Sequence, residues 1–298
     1  MKILVTGITG FIGQRLWPQL SPADEVFAVC RKPVIGLPKN VTVMVADLNG
    51  VGQLFDHLKG IRPDICVHLA WEGIPDYGFN TSRRNLDHAS ALWHHLVEEC
   101  GCSKIIATGS CWEYGKSLGV CREDDNVLTD SYFSWAKHSL SDLGGMLAAK
   151  HGINFIWTRI FYAYGPGQRG GSLIPMMADA LNKNEKPGIK MPHNANDFIH
   201  VDDIAQALGL IVRKNVPTGI YNLGSGRSVP VWQICEYLEN ALGRQPLYAK
   251  QLREVKIKPT ADFWADTSKS ASVLGWTPQI DIEEGIRRYV KATTEIKV

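Results

Sequence analysis

Short apolar runs alternate with longer stretches of helical spacing through the first half of the chain. "KILVTG" (2–7), "EVFAVC" (25–30), "VTVMVAD" (41–47), "ICVHLAW" (65–71), "KIIATGS" (104–110) and "INFIWTRI" (153–160) each read as a strand. Their apolar character is almost continuous, as in a sheet covered on both faces. Between them lie helical segments such as "SALWHHLVEEC" and "WAKHSLSDLGGMLAAKHG", the second ending at a glycine. Strand and helix in alternation predict right-handed crossovers and a doubly wound parallel sheet, an α/β fold.

After about residue 162 the alternation becomes irregular. "AYGPGQRGG" is a turn-rich break, "SLIPMMADALNKNEK" reads as a helix, and "DFIHVDDIAQALGLIV" reads as a strand running into a helix. "SVPVWQICEYLENALG" and "IEEGIRRYV" add further helices. The pattern predicts a dinucleotide-binding domain over 1–162, rejoined by 197–224, and a smaller, mainly helical substrate lobe over 163–196 and 225–298.

Composition narrows the function only by exclusion. A formal charge of +2 gives no broad basic surface, so nucleic acid is not the expected partner. Seven cysteines, an odd number without small-domain spacing, suit reduced thiols. Cys100 and Cys102 supply half of a metal-ligand set and no second half is evident, so no metal is expected. No uncharged apolar run reaches the roughly 18 residues of a membrane span. "MKILVTG" also passes straight into a glycine loop. A cytoplasmic protein is expected.

The first candidate chemistry is that loop. "LVTGITGFIGQRL" places Gly7, Gly10 and Gly13 between the first strand and the first helix. Glycines there allow a tight turn and let backbone amides approach a pyrophosphate. For NAD, the second strand normally ends in an acid that bonds the ribose 2′-hydroxyl. Here "FAVCRKP" offers Arg31 and Lys32. A 2′-phosphate pairs with arginine and repels carboxylate, so NADP(H) is the preferred cofactor and NAD(H) the alternative. Asp47 and Leu48, after the third strand, are placed beside the adenine.

Taken together, these segments resemble the extended short-chain dehydrogenase/reductases that act on nucleotide-sugars. "TGITGFIG" matches their glycine loop and adds Thr9, Phe11 and Ile12 to its cofactor-side residues. "VADL", "VHLAW" (bringing in Leu69 and Ala70) and Asn85 resemble the next cofactor-side segments. "GSCWEYG", "RIFYAYGPGQ", "DFIHVDD", "YNLGSG" and "WADTSKSASVLGWTP" follow in the family's order. The resemblance implies a Rossmann-type fold, a nucleotide-sugar substrate and a homodimer built through two helices.

It also implies a catalytic Ser or Thr, Tyr and Lys. Ser110 falls on the serine position, where its hydroxyl would hold the reacting sugar oxygen. Lys137 falls on the lysine position, binding the nicotinamide ribose and drawing a neighbouring phenol down from its reference pKa of about 10. The tyrosine four residues before that lysine is Phe133 here. Phenylalanine keeps the ring but can neither give nor take a proton. Tyr132 is a poor substitute, because positions 132 and 137 stand roughly 140° apart around a helix. Phe133 admits two origins: an introduced Tyr→Phe change, or a natural variant in which water or another side chain carries the proton.

Family dehydratases place an acid two residues before the Tyr-Gly, where this chain has Trp112. Glu113, one position later, would face away if this segment were a strand. Cys111 is likewise one position off the cysteine of related epimerase-reductases. That leaves an NADPH-dependent reductase of a 4-keto-6-deoxy nucleotide-sugar, a 4-epimerase holding NAD tightly, and a non-catalytic NADP(H) sensor. For the substrate, the arginine expected before the "DFIHVDD" acid is replaced by Asn196. Arg169, Arg253, Lys256 and Lys258 are the other candidates for the diphosphate, and Trp71, Trp112 and Trp135 for the sugar.

Overall fold

The computed structural model describes residues 1–49, 52–115 and 118–295. In chain order its strands and helices begin with β1 (Lys2–Thr6), α1 (Gly13–Leu16), β2 (Glu25–Cys30), β3 (Val41–Val45), α2 (Gly52–Ile61), β4 (Ile65–His68) and α3 (Phe79–Glu98). There follow β5 (Lys104–Ser110), β6 (Leu118–Cys121), α4 (Tyr132–His151), β7 (Asn154–Ile160), β8 (Tyr162–Tyr164) and α5 (Leu173–Asn182). The remainder is β9 (Ala195–Asn196), β10 (Phe198–His200), α6 (Val201–Arg213), β11 (Gly219–Leu223), β12 (Val229–Pro230), α7 (Val231–Ala241), α8 (Leu247–Arg253), β13 (Asp262–Ala265) and α9 (Ile282–Glu295).

The chain divides into two units. The first holds residues 1–115, 125–160 and 205–221, the second 116–124, 161–204 and 222–298. The expected boundaries therefore move at four places, and 161–162 and 222–224 are two of them, both now in the second unit. Residues 197–204, expected beside the dinucleotide-binding domain, belong to the second unit, because Asp197 is bonded there. So does 116–124, which carries β6, a strand paired in parallel with β13.

In the first unit the sheet order is β11-β7-β5-β4-β1-β2-β3. Every pairing from β7 through β3 is parallel. β1 and β4 are deeply enclosed: Ile3, Leu4, Val5, Cys66 and Val67 have no solvent exposure. That is why these strands read as unbroken apolar runs instead of an alternation. Below the sheet, Trp93 of α3 meets Phe155 and Trp157 of β7 with ring centroids 5.6 Å and 6.3 Å apart. Helix α4 starts at a reciprocal cap: Ser131 Oγ accepts from the Ser134 amide, and Ser134 Oγ accepts from the Ser131 amide. It ends at Gly152, in the left-handed region at φ +68°. The register of Phe133 and Lys137 is thus fixed from both ends.

The second unit surrounds its own apolar core, formed by Ile174, Met177, Leu181, Ile234, Leu238 and Ile286. Beside its helices it carries a four-stranded sheet, β12-β9-β13-β6, and the pair β10-β8. The first and last acids of "DFIHVDD", Asp197 and Asp203, are structural. Asp197 has no exposure and accepts from the Ser225, Gly226 and Ala265 amides at 2.6 to 3.1 Å, clamping the "LGSG" turn. Asp203 accepts from the Gln279 and Ile280 amides. Among the described residues no helix is long and apolar enough to cross a membrane.

Candidate active site

The carboxyl ends of β1, β2, β3 and β4 open onto one cleft of about 210 Å³. Its lining includes Gly7, Thr9, Gly10, Arg31, Asp47, Leu48, Leu69, Ala70 and Trp71. A crevice at the carboxyl ends of parallel strands is where open α/β sheets bind ligands. Gly7 is at φ +75°, and a Cβ on it would lie 2.8 Å from the Ala70 nitrogen. The turn closes through Gly10 N–H donating to the Gly7 carbonyl at 2.9 Å. Phe11, Ile12 and Gly13 lie outside the lining. Gly13 serves by its lack of a side chain, since a Cβ there would meet the Gly7 carbonyl and Ile8.

Thr6 Oγ1 accepts from the Ala70 amide at 3.2 Å and is 2.9 Å from His68 Nδ1. Burial, reinforced by the Lys137 charge, pulls His68 down to about 3, so its ring is neutral near pH 7. Asp47 is held below the ordinary carboxylate range by the Asn49 amide and side chain. Arg31 is 71 % exposed at the cleft mouth and 3.9 Å from Glu72, which also pairs with Arg84. Trp71 Nε1 is buried without a hydrogen-bond partner among the described residues, although the residue lines the cleft. An orphaned donor there fits a ligand bearing acceptor oxygens. The glycine turn, the exposed arginine and this donor fit a dinucleotide. Asn85, expected on the cofactor side, is in the lining and braces Glu72 through both backbone groups; His88, also in the lining, carries no sequence signal for such a contact.

Beyond Trp71 lies the corner that holds the three residues expected to be catalytic, Ser110, Phe133 and Lys137. Lys137 is 6 % exposed; its Nζ donates to the Thr108 carbonyl at 2.7 Å and stands 4.0 Å from the Trp71 ring centroid. Burial brings its pKa down to about 7, against the pull of the Glu113 carboxylate. Phe133, four residues earlier, turns to the same corner. Its ring meets Trp71 and Tyr77 at 5.2 Å and Trp112 at 5.7 Å, each close to edge-on. Tyr132 points elsewhere: it is 56 % exposed and packs on Phe79, as does Trp135.

Ser110 ends β5, and its Oγ accepts from the Trp112 amide at 3.2 Å. Cys111–Tyr114 is a 3-10 turn, so the strand geometry expected for Glu113 does not apply. Glu113 nonetheless points inward. It has no exposure and accepts from the Ser110 amide, Trp157 Nε1 and Arg159 Nε at 2.7 to 3.2 Å. Cys111 is buried as well.

The substrate candidates Arg169, Asn196 and Lys258 fall in the second unit, and none of them lines the strand-end cleft or the second unit's cavity. Arg169 is exposed in the turn before α5, Asn196 is half-buried in β9, and Lys258 is exposed after α8. That unit has its own cavity of about 630 Å³, lined by His193, Trp232, Lys256 and Asp262 among others. Arg253 stands 4.9 Å from the Trp232 ring. Lys256 belongs to this lining and Lys258 does not. His193 and Trp232 carried no motif of their own. Among the described residues, no cluster of three or more side chains could hold a metal.

Residues 3–224 match the model of the NAD dependent epimerase/dehydratase family. A probable dTDP-glucose 4,6-dehydratase of Sinorhizobium fredii is 28 % identical, over 98 % of this chain and 92 % of that protein. A dTDP-4-dehydro-6-deoxyglucose reductase of Escherichia coli is 27 % identical, over 97 % and 96 %. The fold is that of a UDP-glucose 4-epimerase of Thermotoga maritima, with a TM-score of 0.86 at 20 % identity and full coverage of both chains. The strand-end cleft, its glycine turn and the Ser110–Lys137 corner thus have a family to which they answer: the chain belongs to the NAD dependent epimerase/dehydratase family, whose members here are nucleotide-sugar dehydratases, epimerases and reductases.

Proposed function

We propose that the chain reduces a 4-keto-6-deoxy nucleotide-sugar at C4 with NADPH. The observation that carries this reading is the fate of Glu113. Dehydration needs a carboxylate that can take a proton from the sugar, and the only one on the Cys111–Tyr114 turn is buried against Arg159 and Trp157. Ser110 and Lys137 remain for chemistry at the carbonyl. A bound reduced nicotinamide supplies the hydride. The Ser110 hydroxyl orients the keto oxygen, and Lys137 stabilises negative charge as it develops there. Arg31, exposed where β2 ends, favours a 2′-phosphate and hence a cofactor that exchanges at each turnover. In the second unit, Lys256 and Arg253 supply charge for the diphosphate, and the Trp232 face an apolar wall for the base. The Escherichia coli reductase among the relatives supports this choice.

The test is cofactor stoichiometry. Purified protein is expected to lack bound nucleotide and to consume one NADPH per 4-keto sugar reduced. The second reading, a 4-epimerase, is favoured by the Thermotoga maritima fold neighbour and predicts tightly retained NAD with no net consumption. Retained NAD together with interconversion of C4 epimers would overturn the reductase reading. A protein that binds NADPH but turns over no 4-keto sugar, even with Phe133→Tyr, would be a sensor.

A further inference from the structure

We propose that Tyr77 supplies the proton that Phe133 cannot, so that the site is complete with its acid carried on the loop after β4 instead of on α4. The inference rests on the reductase reading above. Among the described residues, Tyr77 is the tyrosine whose ring meets Phe133, at 5.2 Å between centroids. It also meets Trp112 at 5.1 Å, the residue whose amide donates to the Ser110 hydroxyl. The other nearby tyrosines are excluded by position. Tyr132 faces outward onto Phe79. Tyr114 is 1 % exposed beneath the Arg159 guanidinium. Tyr77 is half-buried and reached by water, and its hydroxyl makes no hydrogen bond to a described residue.

The loop that carries Tyr77 is tied on both sides of it. The Asp76 amide donates to the Gly73 carbonyl at 2.7 Å, and Gly73 is at φ +86°. Asp76 accepts from the Gly78 amide at 2.8 Å and from the Thr81 hydroxyl, and Asn85 holds Glu72. A phenol on so braced a loop has its position set before substrate arrives, which is what general acid catalysis requires. The balance is simple. The carbonyl carbon receives hydride from the reduced nicotinamide, and the C=O π pair moves to oxygen. That oxygen takes the phenol proton as the Tyr77 O–H bond breaks, leaving a phenolate that water reprotonates.

Four proteins test this: wild type, Tyr77→Phe, Phe133→Tyr and the double variant. Each is read for NADPH consumption with 4-keto-6-deoxy nucleotide-sugars of several bases, and for equilibrium binding of the nucleotide-sugar by calorimetry. Tyr77→Phe is expected to lower kcat by about 100-fold or more, the usual worth of a positioned acid, with binding unchanged. Adding Phe133→Tyr to Tyr77→Phe is expected to restore most of the rate, which a packing defect at Tyr77 would not allow. Full activity in Tyr77→Phe would overturn the proposal. So would an inert wild type beside an active Phe133→Tyr, an outcome that keeps the reductase reading. Wild type and Phe133→Tyr both inert with substrate bound would sink the reductase reading and this inference together.

Discussion

Arg159 and Lys137 are both buried cations near the carboxyl end of β5, held in opposite ways. Arg159 is 1 % exposed, bonded to Glu113 at 3.2 Å and stacked 4.4 Å from the Tyr114 ring. Lys137 is nearly as buried but has no carboxylate partner among the described residues; one carbonyl and the Trp71 face receive it. Guanidinium keeps its charge at any working pH and so demands a counter-ion, whereas an ammonium can give up its proton. Arg159 and Glu113 therefore brace the turn behind Ser110. Lys137 is left poised near neutrality, a state that costs stability and suits a group handling developing charge.

The largest expected effect comes from breaking the braced pair. Glu113→Ala strands the guanidinium without a partner and is expected to cost about 3–5 kcal/mol, read as a fall in urea midpoint at unchanged slope. Removing a buried cation that has no carboxylate partner should have the opposite sign. Lys137→Met keeps the volume and removes a poorly compensated charge. It is expected to raise stability by about 1–4 kcal/mol while abolishing NADPH-dependent turnover. A loss of stability in Lys137→Met comparable to that of Glu113→Ala would mean the two cations are alike after all.

How much of this was legible in the sequence follows from how local each feature is. The β1, β4 and β5 runs and the Gly7–Gly13 turn are contiguous, so their apolar pattern and glycine spacing announce them. Phe133 and Lys137 share a helix, and the 3.6-residue period alone puts them on one face and Tyr132 off it. The Glu113–Arg159 pair joins a 3-10 turn to β7 across 46 residues, and no periodicity links them. Tyr77 is harder still: it is on an irregular turn, "GIPDYG", that approaches α4 only in the fold. Likewise β9 and β12 are two residues long, too short to show an alternation. Lys256 and Lys258 look equivalent in sequence, yet Lys256 lines the cavity beside His193 and Trp232 and Lys258 does not.

The finest discrimination between the two cations is their response to pH. For Lys137 the folded pKa is about 7, against roughly 10.4 in the unfolded chain. Between those values the unfolded chain holds a proton that the folded one has released. Stability from this group therefore rises with pH across the window, by at most about 1.4 kcal/mol per pH unit. Below pH 7 both states are protonated and the dependence vanishes. Lys104, at about 8 through burial against the α6 carboxyl end, adds a slope of the same sign. Buried thiols such as Cys102, pushed up to about 12, oppose it. The informative quantity is thus a difference: urea unfolding of wild type and Lys137→Met from pH 6 to 10. The two free-energy curves should run parallel below pH 7, with the variant above. They should then converge as pH rises, because only wild type recovers the cost of its buried ammonium. Curves that stayed parallel to pH 10 would mean Lys137 keeps its proton throughout, as firmly charged as Arg159.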